Sequence, residues 1–349
     1  MSGSVERSSI QQSAFPLAFR VDPGNVNLAP GASPGSVRVV ARALEGMQKE
    51  AIAQSGADTW RVVCDEGPWL NGTDLAPFPL AFFCAGQAAS YLAEFMAEAK
   101  ERLIPITRLE LRQDNFFTME GSALKGTMSA GVDPVHVQFD ADGDCSAAEL
   151  RDIADVAIND RSPVAAVLAR ELPSRFAIRA NGDDLAQGDA LPVADADDPT
   201  TTMDACRPAG ADSYAADVIR KVEETIEAGD AVGLKSSQKR VVHVATHARV
   251  RPDGILELAV QCIQPAGSRF VMLSDDSRAR GGQGRAPDPL TYLSCGVAFC
   301  YMTQIGRYAQ IVKQRLRDYR IVQETMFGFG PEEPPTAEPV ATLVCVDSE

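Results

Sequence analysis

Apolar and polar residues alternate along most of the chain in short stretches, the pattern of half-buried strands. Two long segments break this pattern because they are almost continuously apolar. The first runs from Pro79 to about Leu103, and the second begins at Pro289, with Asp288 placed to cap it. Proline suits the first turn of a helix, where its missing N–H is not needed. The pattern therefore predicts two long, buried helices.

Two further helices are predicted between the long ones. Ser146–Leu168 has Ser146 as N-cap and Glu149 three residues later, which is a capping-box pattern, and Pro163 is expected to interrupt it. Tyr214–Ala228 has apolar residues at helical spacing and is also predicted as a helix.

The alternating stretches predict strands on either side of these helices. A turn is predicted at Arg251–Gly254. The fold class that follows is α+β. The predicted strands are Val37–Val40, Thr59–Cys64, Leu109–Gln113, Val135–Phe139, Arg175–Arg179, Arg240–Arg249, Ile255–Ile263, Phe270–Leu273, Tyr319–Gln323 and Val340–Val346.

The two long helices lie in a repeated sequence. Residues 77–91 align with residues 287–301 without a gap, and the register holds on both sides. About a dozen identities fall in roughly sixty aligned positions, which indicates a duplication. Cys300 in the second copy stands where the first copy has Ser90. A thiol in one copy and a hydroxyl in the other suggests that one half carries the chemistry.

The repeat sets the expected domain boundaries. Residues 1–35 form an N-terminal extension, 36–180 the first copy, 181–213 an acidic linker and 214–349 the second copy, which lacks a second helix. Both long helices are rich in small residues, which allow helices to approach closely. This leaves two interpretations: the helices pack on each other at a pseudo-twofold interface, or each packs on its own sheet.

Composition narrows the class of protein. The 349 residues carry a net charge of −15, which argues against a nucleic-acid partner. The N-terminus lacks the apolar core of a signal peptide, and no run of 18 apolar residues suggests a membrane span. The eight cysteines fit no zinc spacing, so we expect neither a metal nor a cofactor. Most of these thiols should be reduced, which indicates a cytoplasmic protein.

The motif Pro289–Leu290–x2–Leu293–x6–Cys300 resembles the family of osmotically inducible protein C and organic hydroperoxide resistance protein, over about 37–180 and 238–349. In that family a reactive cysteine follows a helix-opening proline by eleven residues, midway along a buried helix. The resemblance implies two OsmC-like copies, with antiparallel sheets around the long helices, that form a pseudo-dimer within one chain. Further self-association remains open.

The resemblance also implies site residues. Family peroxidases hold their cysteine with an arginine near a hairpin, often from the other subunit. Arg42, Arg249 and Arg251 are the matching candidates, and Arg42 could reach across to Cys300. His247, beside Arg249 on one strand face, is a candidate general base.

Two departures from the family stand out. Leu80 and Leu290 occupy the position of the family glutamate. The resolving Cys-Pro pair is replaced by Ser162-Pro163, which leaves Cys262 or Cys64 as weaker candidates for a resolving thiol.

Three functions remain open from the sequence, all with a small hydrophobic partner. The first is organic hydroperoxide reduction by Cys300, regenerated by an external thiol reductant. The second is a non-redox elimination, hydrolysis or addition that uses Cys300 or His247. The third is binding of a small ligand without catalysis.

Overall fold

The computed structural model contains four α-helices among the residues that it describes. The capping box at Ser146 is confirmed, since its Oγ accepts from Glu149 N at 3.2 Å and Glu149 Oε2 accepts from Ser146 N at 2.8 Å. The helices are α1 (Pro79–Glu101), α2 (Ala147–Val156), α3 (Pro163–Leu168) and α4 (Pro289–Ile311), with a π-helical turn over Ala157–Arg161 between α2 and α3. The described residues are 9–13, 15–22, 24–26, 28, 35–186, 191–193, 203–204, 206–210, 217–223, 240–328, 335–338 and 340–348.

The remaining regular structure is strand. The strands are β1 (Ala18–Arg20), β2 (Ser36–Ala43), β3 (Lys49–Ser55), β4 (Asp58–Cys64), β5 (Ile106–Glu120), β6 (Ser129–Val132), β7 (His136–Gly143), β8 (Ser174–Ala180), β9 (Asp183–Leu185), β10 (Leu191–Pro192), β11 (Ile219–Glu223), β12 (Arg240–Val250), β13 (Leu256–Gln264), β14 (Arg269–Ser274), β15 (Leu316–Gly328), β16 (Thr336–Ala337) and β17 (Val340–Ser348).

The predicted helix at Tyr214–Ala228 is wrong where the structure describes it. Ile219–Glu223 is strand β11, because its backbone pairs antiparallel with the edge of β14 and Ile219 packs into the core. Tertiary pairing here overrides the helical spacing of the apolar residues. The rest of this prediction, at 214–216 and 224–228, lies outside the described residues.

Each of the two sheets combines strands from the N-terminal and C-terminal parts of the chain. One sheet has the order β1-β4-β3-β2-β15-β17-β8-β10, with β16 on β15 and β9 on β8. The other has the order β11-β14-β13-β12-β5-β6, with β7 on β5. The antiparallel pairs β2–β15 and β5–β12 join the two parts of the chain.

The helices α1 and α4 pack on each other, and each also packs on strands from both parts of the chain. α1 rests on β12, β13 and β5, and α4 on β2, β3 and β15. A Cβ atom on Gly86 would lie 2.6 Å from Leu293 N, and one on Gly296 would lie 2.6 Å from Phe83 N. The two backbones therefore meet where only glycine fits.

Backbone features of α1 recur at matching positions of α4. The crossing glycines Gly86 and Gly296 are one such pair. Leu103 and Lys313, which follow the two helices, have φ values of 59° and 58°. The residues before the helices correspond too, since the carboxylates of Asp65 and Asp275 each accept bonds from the backbone of the loop that follows.

By length and composition alone, α1 is apolar enough to cross a membrane, and 72% of its apolar window is buried inside the protein. Its apolar residues are therefore accounted for by packing within the protein.

Candidate functional site

A cavity of about 830 Å³ lies between the start of α1, the middle of α4 and strands β5, β6, β12 and β13. Its size and mainly apolar lining, with a few polar groups, are typical of a small-molecule site. The apolar lining includes Trp69, Leu70, Phe78, Pro79, Leu80, Phe117, Val132, Val242 and Pro265. The polar lining includes Glu66, Arg240, Gln264, Thr303, Gln304 and Arg307, and the thiols are those of Cys262 and Cys300.

One face of α4 forms a wall of this cavity. Cys300, Thr303, Gln304 and Arg307 line it, and their spacing of three, four and seven residues places them on the same side of a helix. Cys295 is fully buried and does not line the cavity, as its position on the helix predicts. Cys300 is therefore the helix thiol that a bound molecule would meet.

The Cys300 thiol is protonated at neutral pH. Burial raises its pKa to about 12, the Glu66 carboxylate adds to this increase, and the Lys49 ammonium opposes it. A thiolate is the reactive form of cysteine. Any nucleophilic step by Cys300 therefore needs a group that accepts its proton.

A buried ion pair lies beside Cys300. Lys49, with no exposed surface, donates from Nζ to Met47 O at 2.7 Å and lies 3.6 Å from Glu66 Oε1. Thr303 on α4 donates to the same Glu66 oxygen at 2.5 Å. Together these contacts position the Glu66 carboxylate in the cavity wall, with the Lys49 ammonium next to that carboxylate.

The two charged groups have shifted pKa values. Burial raises the pKa of Glu66 above its ordinary value, although Lys49 and the Thr303 hydrogen bond act against this. Burial alone would lower the pKa of Lys49, but nearby Cys64 and Glu66 raise it. Lys49 is therefore cationic, whereas Glu66 can take up a proton more readily than an exposed carboxylate.

The arginines and the histidine predicted for the site lie elsewhere. Arg42 Nε donates to Glu50 at 2.8 Å, and its Nη1 donates to Asp204 at 2.6 Å. The other three predicted residues also contact carboxylates away from the cavity. These pairs are Arg249–Glu257 at 2.6 Å, Arg251–Asp253 at 3.2 Å and His247–Glu110 at 2.9 Å.

Strand parity explains why Arg42 lies away from the cavity. On β2, Ala41 and Ala43 point into the core against the helices, so Arg42 points to the opposite face of the sheet. On β3, Ala51 and Ala53 point inward, so Lys49 does too. The cation beside Cys300 is therefore Lys49. The alternation of inward-pointing and outward-pointing residues along β3 is the sequence signal that could have identified Lys49.

The position that corresponds to Cys300 is closed. Ser90 Oγ lies 2.9 Å from Ser162 Oγ, both side chains are buried, and a space of about 20 Å³ remains around Ser90. Glu94 on the same helix bonds to Arg280, and Arg161 donates to it at 3.4 Å. Ser162 also caps α3 through Ala165 N at 3.1 Å. The segment from α2 to α3 thus fills the first position.

The other seven cysteines all lie within the described residues and form no disulfide there. Cys262 lines the Cys300 cavity, and burial raises its pKa to about 12. Cys64 is fully buried, and burial raises its pKa well above the ordinary value. Among the described residues, no group of three or more His, Cys, Asp or Glu side chains is arranged to hold a metal ion.

Comparisons with known proteins found a distant likeness among solved structures. No family model matches the chain. No curated protein matches it either. Among solved structures, an OsmC-like hydroperoxide resistance protein from Jannaschia sp. CCS1 is similar at 16% sequence identity and a TM-score of 0.26. The match covers 45% of this chain and 96% of that one.

Proposed function

We propose that the chain is a fused duplication of an OsmC-like unit, folded as a pseudo-dimer. The proposal is supported by the correspondence of α1 with α4, of Gly86 with Gly296 and of the left-handed residues that follow the helices. It is also supported by the strand pairs β2–β15 and β5–β12, which exchange long strands between the two units.

We further propose that the chain is a thiol-dependent enzyme that reduces an organic hydroperoxide, with Cys300 as the reactive thiol. One observation carries this proposal: Cys300 lines an apolar cavity of about 830 Å³ next to the buried Lys49–Glu66 pair. Lys49 supplies the positive charge expected from the predicted arginine, and Glu66 supplies the carboxylate expected from the family glutamate. Both come from different positions in the chain. The remaining lining suits a hydrophobic substrate.

The reaction begins with a proton transfer inside the cavity. Glu66 accepts the thiol proton of Cys300, which removes the negative charge that raises the Cys300 pKa and leaves Lys49 to stabilise the thiolate. The exchange keeps the net charge of the three groups constant. The buried site can therefore stabilise a Cys300 thiolate after the proton transfer, although the thiol is protonated before it.

The thiolate sulfur then attacks the terminal oxygen of the hydroperoxide. The S–O bond forms as the O–O bond breaks, and the departing alkoxide takes the proton from Glu66 to become an alcohol. Cysteine is oxidised to sulfenic acid and the hydroperoxide is reduced. An external thiol attacks the sulfenic acid sulfur with loss of water, and a second external thiol releases Cys300 and an external disulfide.

The test is consumption of cumene hydroperoxide with dihydrolipoamide as reductant. Cys300→Ser, which copies Ser90 of the first unit, should reduce turnover to the uncatalysed background. Cys295→Ala, which copies Ala85, is the matched control on the same helix and should retain turnover. Wild-type protein without activity, or equal activity in Cys300→Ser, contradicts the proposal.

A second candidate is binding of a small hydrophobic ligand without turnover. It is favoured by the protonated resting state of Cys300 and by Leu80 and Leu290 at the family glutamate position. The non-redox alternative that uses His247 is less favoured, because His247 is paired with Glu110 outside the cavity. Saturable ligand binding without hydroperoxide consumption would identify the second candidate.

A further inference from the structure

The C-terminal end of α4 carries an apolar groove that is open to solvent. Its volume is about 560 Å³, and its apolar lining comes from Ile305, Tyr308, Ala309, Val312 and Leu316. Tyr308 is 57% exposed and Val312 is 42% exposed, so two large side chains of the groove face water. We call this surface the α4 groove. Clustered apolar side chains on a surface are typical of an interaction site.

The corresponding face of α1 is covered by the segment from α2 to α3. Arg161 of that segment donates to Glu98 on α1 at 2.9 Å, and Arg102, directly after α1, donates to Asp152 on α2 at 2.5 Å. Ile153 of α2 is fully buried. The α1 face is therefore covered by an amphipathic helix that is held by apolar packing and by ion pairs.

The α4 groove is more apolar than this counterpart. Tyr308 stands at the position of Glu98, and Val312 stands at the position of Arg102. The described residues after β15 contain no helix that could cover them. A helix face that is left to water is expected to carry polar side chains. The two apolar replacements therefore indicate that another molecule covers the groove.

The charges along the two helices differ in sign. In α1 the covering Arg161 contacts three glutamates, which are Glu94, Glu98 and Glu101. Residues 289–317, which include α4, carry four cations and no acidic residue, although the net charge of the chain is −15. Lys313, between two lining residues in the sequence, is exposed. A partner that matches this surface therefore carries carboxylates.

We propose that the α4 groove binds an amphipathic helix of a partner protein, with its apolar side against Tyr308 and Val312 and its carboxylates towards Lys313. The partner helix takes the place on α4 that α2 takes on α1. A second copy of this chain fits less well, because two α4 grooves that face each other bring like charges together. The inference is independent of the chemistry at Cys300 and depends on the correspondence between α1 and α4.

Fluorescence anisotropy with a labelled peptide of residues 146–168 tests this inference on the full chain. The peptide carries the apolar side of α2 together with four carboxylates and two arginines. The wild type should bind it saturably, and Tyr308→Asp should weaken binding at least about tenfold, as expected for a central aromatic residue of an interface. Lys313→Glu should also weaken binding, and so should a peptide with amides in place of the four carboxylates.

The matched control is Leu124→Asp, which changes an exposed apolar residue that does not line the groove and should bind the peptide as the wild type does. Circular dichroism of each variant establishes that it is folded. Absence of saturable peptide binding, or binding that Tyr308→Asp leaves unchanged, would overturn the inference. Self-association of the wild type that Tyr308→Asp abolishes, measured by sedimentation velocity, would assign the groove to a second copy instead. Binding to phosphatidylglycerol vesicles without binding of the peptide would assign it to a membrane surface.

Discussion

The positions of Cys300 and Ser90 correspond along α4 and α1, yet one opens into a cavity of about 830 Å³ and the other retains about 20 Å³. The helices that carry them share length, start and crossing glycine. The difference therefore arises from what packs against each helix. A site can be closed without changing the helix on which it is built.

Two features close the Ser90 position. The segment from α2 to α3 places Ser162 against Ser90, and the described residues after β15 contain no helix in the corresponding place. Glu94 also forms ion pairs across the closed site, whereas Gln304, at the corresponding position of α4, is exposed. The closed position is thus a structural junction, and the open one remains available to a ligand.

The largest expected effect is the loss of the ion pairs at the closed position. Glu94→Ala should lower the free energy of unfolding by about 3 kcal/mol, which is the lower end of the range for breaking a buried ion pair. The lower end is expected because Arg280 still pairs with Asp276 and Arg161 still pairs with Glu98. Gln304→Ala is the matched change at the open position and should stay within about 0.5 kcal/mol of wild type. Urea denaturation measures both; equal losses would remove the proposed difference between the positions.

The next largest effect concerns the glycine crossing that α1 and α4 share. Gly86→Ala and Gly296→Ala each place a methyl group 2.6 Å from backbone atoms of the other helix, so each should destabilise the protein by about 2 to 3 kcal/mol. The two losses should be similar because the contacts are reciprocal. A loss at one glycine alone, measured by thermal unfolding, would show that the crossing is not equivalent from the two sides.

A pair of thiols can be introduced at the closed position. Ser90→Cys with Ser162→Cys should form a disulfide under oxidising conditions, since the two oxygens lie 2.9 Å apart. The oxidised form should be about 2 kcal/mol more stable than the reduced form. Intact mass detects the loss of two hydrogens, and Ser90→Cys alone is the control. Two thiols that stay reduced would contradict the observed approach of these side chains.

The smallest change alters reactivity at the open position. The Glu66 carboxylate raises the pKa of Cys300, so Glu66→Gln should lower that pKa from about 12 and speed alkylation by iodoacetamide several-fold at pH 9. Lys49→Met should have the opposite effect, because Lys49 lowers the Cys300 pKa. Mass spectrometry of the Cys300 peptide, with half-buried Cys145 as internal reference, measures the rates. A slower reaction in Glu66→Gln would overturn the assigned electrostatics.

Much of the secondary structure could be predicted from the sequence, because the helices at Pro79 and Pro289 combine long apolar runs with proline starts and the strands alternate clearly. Strand β11 could not be predicted from the sequence, since the spacing of its apolar residues fits a helix. It is a strand only because its backbone pairs with the edge of β14. Strand β3 was missed because its small and polar residues give a weak pattern.

The site was only partly predictable. Cys300 followed from the repeat, but its charged neighbours did not, since Lys49 and Glu66 are distant from it in sequence and meet only after β3 packs under α4. Arg42 lies away from the cavity because it is one residue out of step with the inward-pointing Ala41 and Ala43. Arg307 carried no motif, and its place in the cavity wall appears only once α4 and β12 enclose the same space.

The exchanged strand pairs have a consequence for how the chain folds. Val39 on β2 pairs with Gln323 on β15, so the first sheet cannot be completed until both ends of the chain are present. Contacts between residues so distant in sequence give a high contact order, which slows folding. The N-terminal and C-terminal parts of the chain should therefore fold as one cooperative block. A chain interrupted before β15 would leave the edge of β2 open to pairing with other molecules.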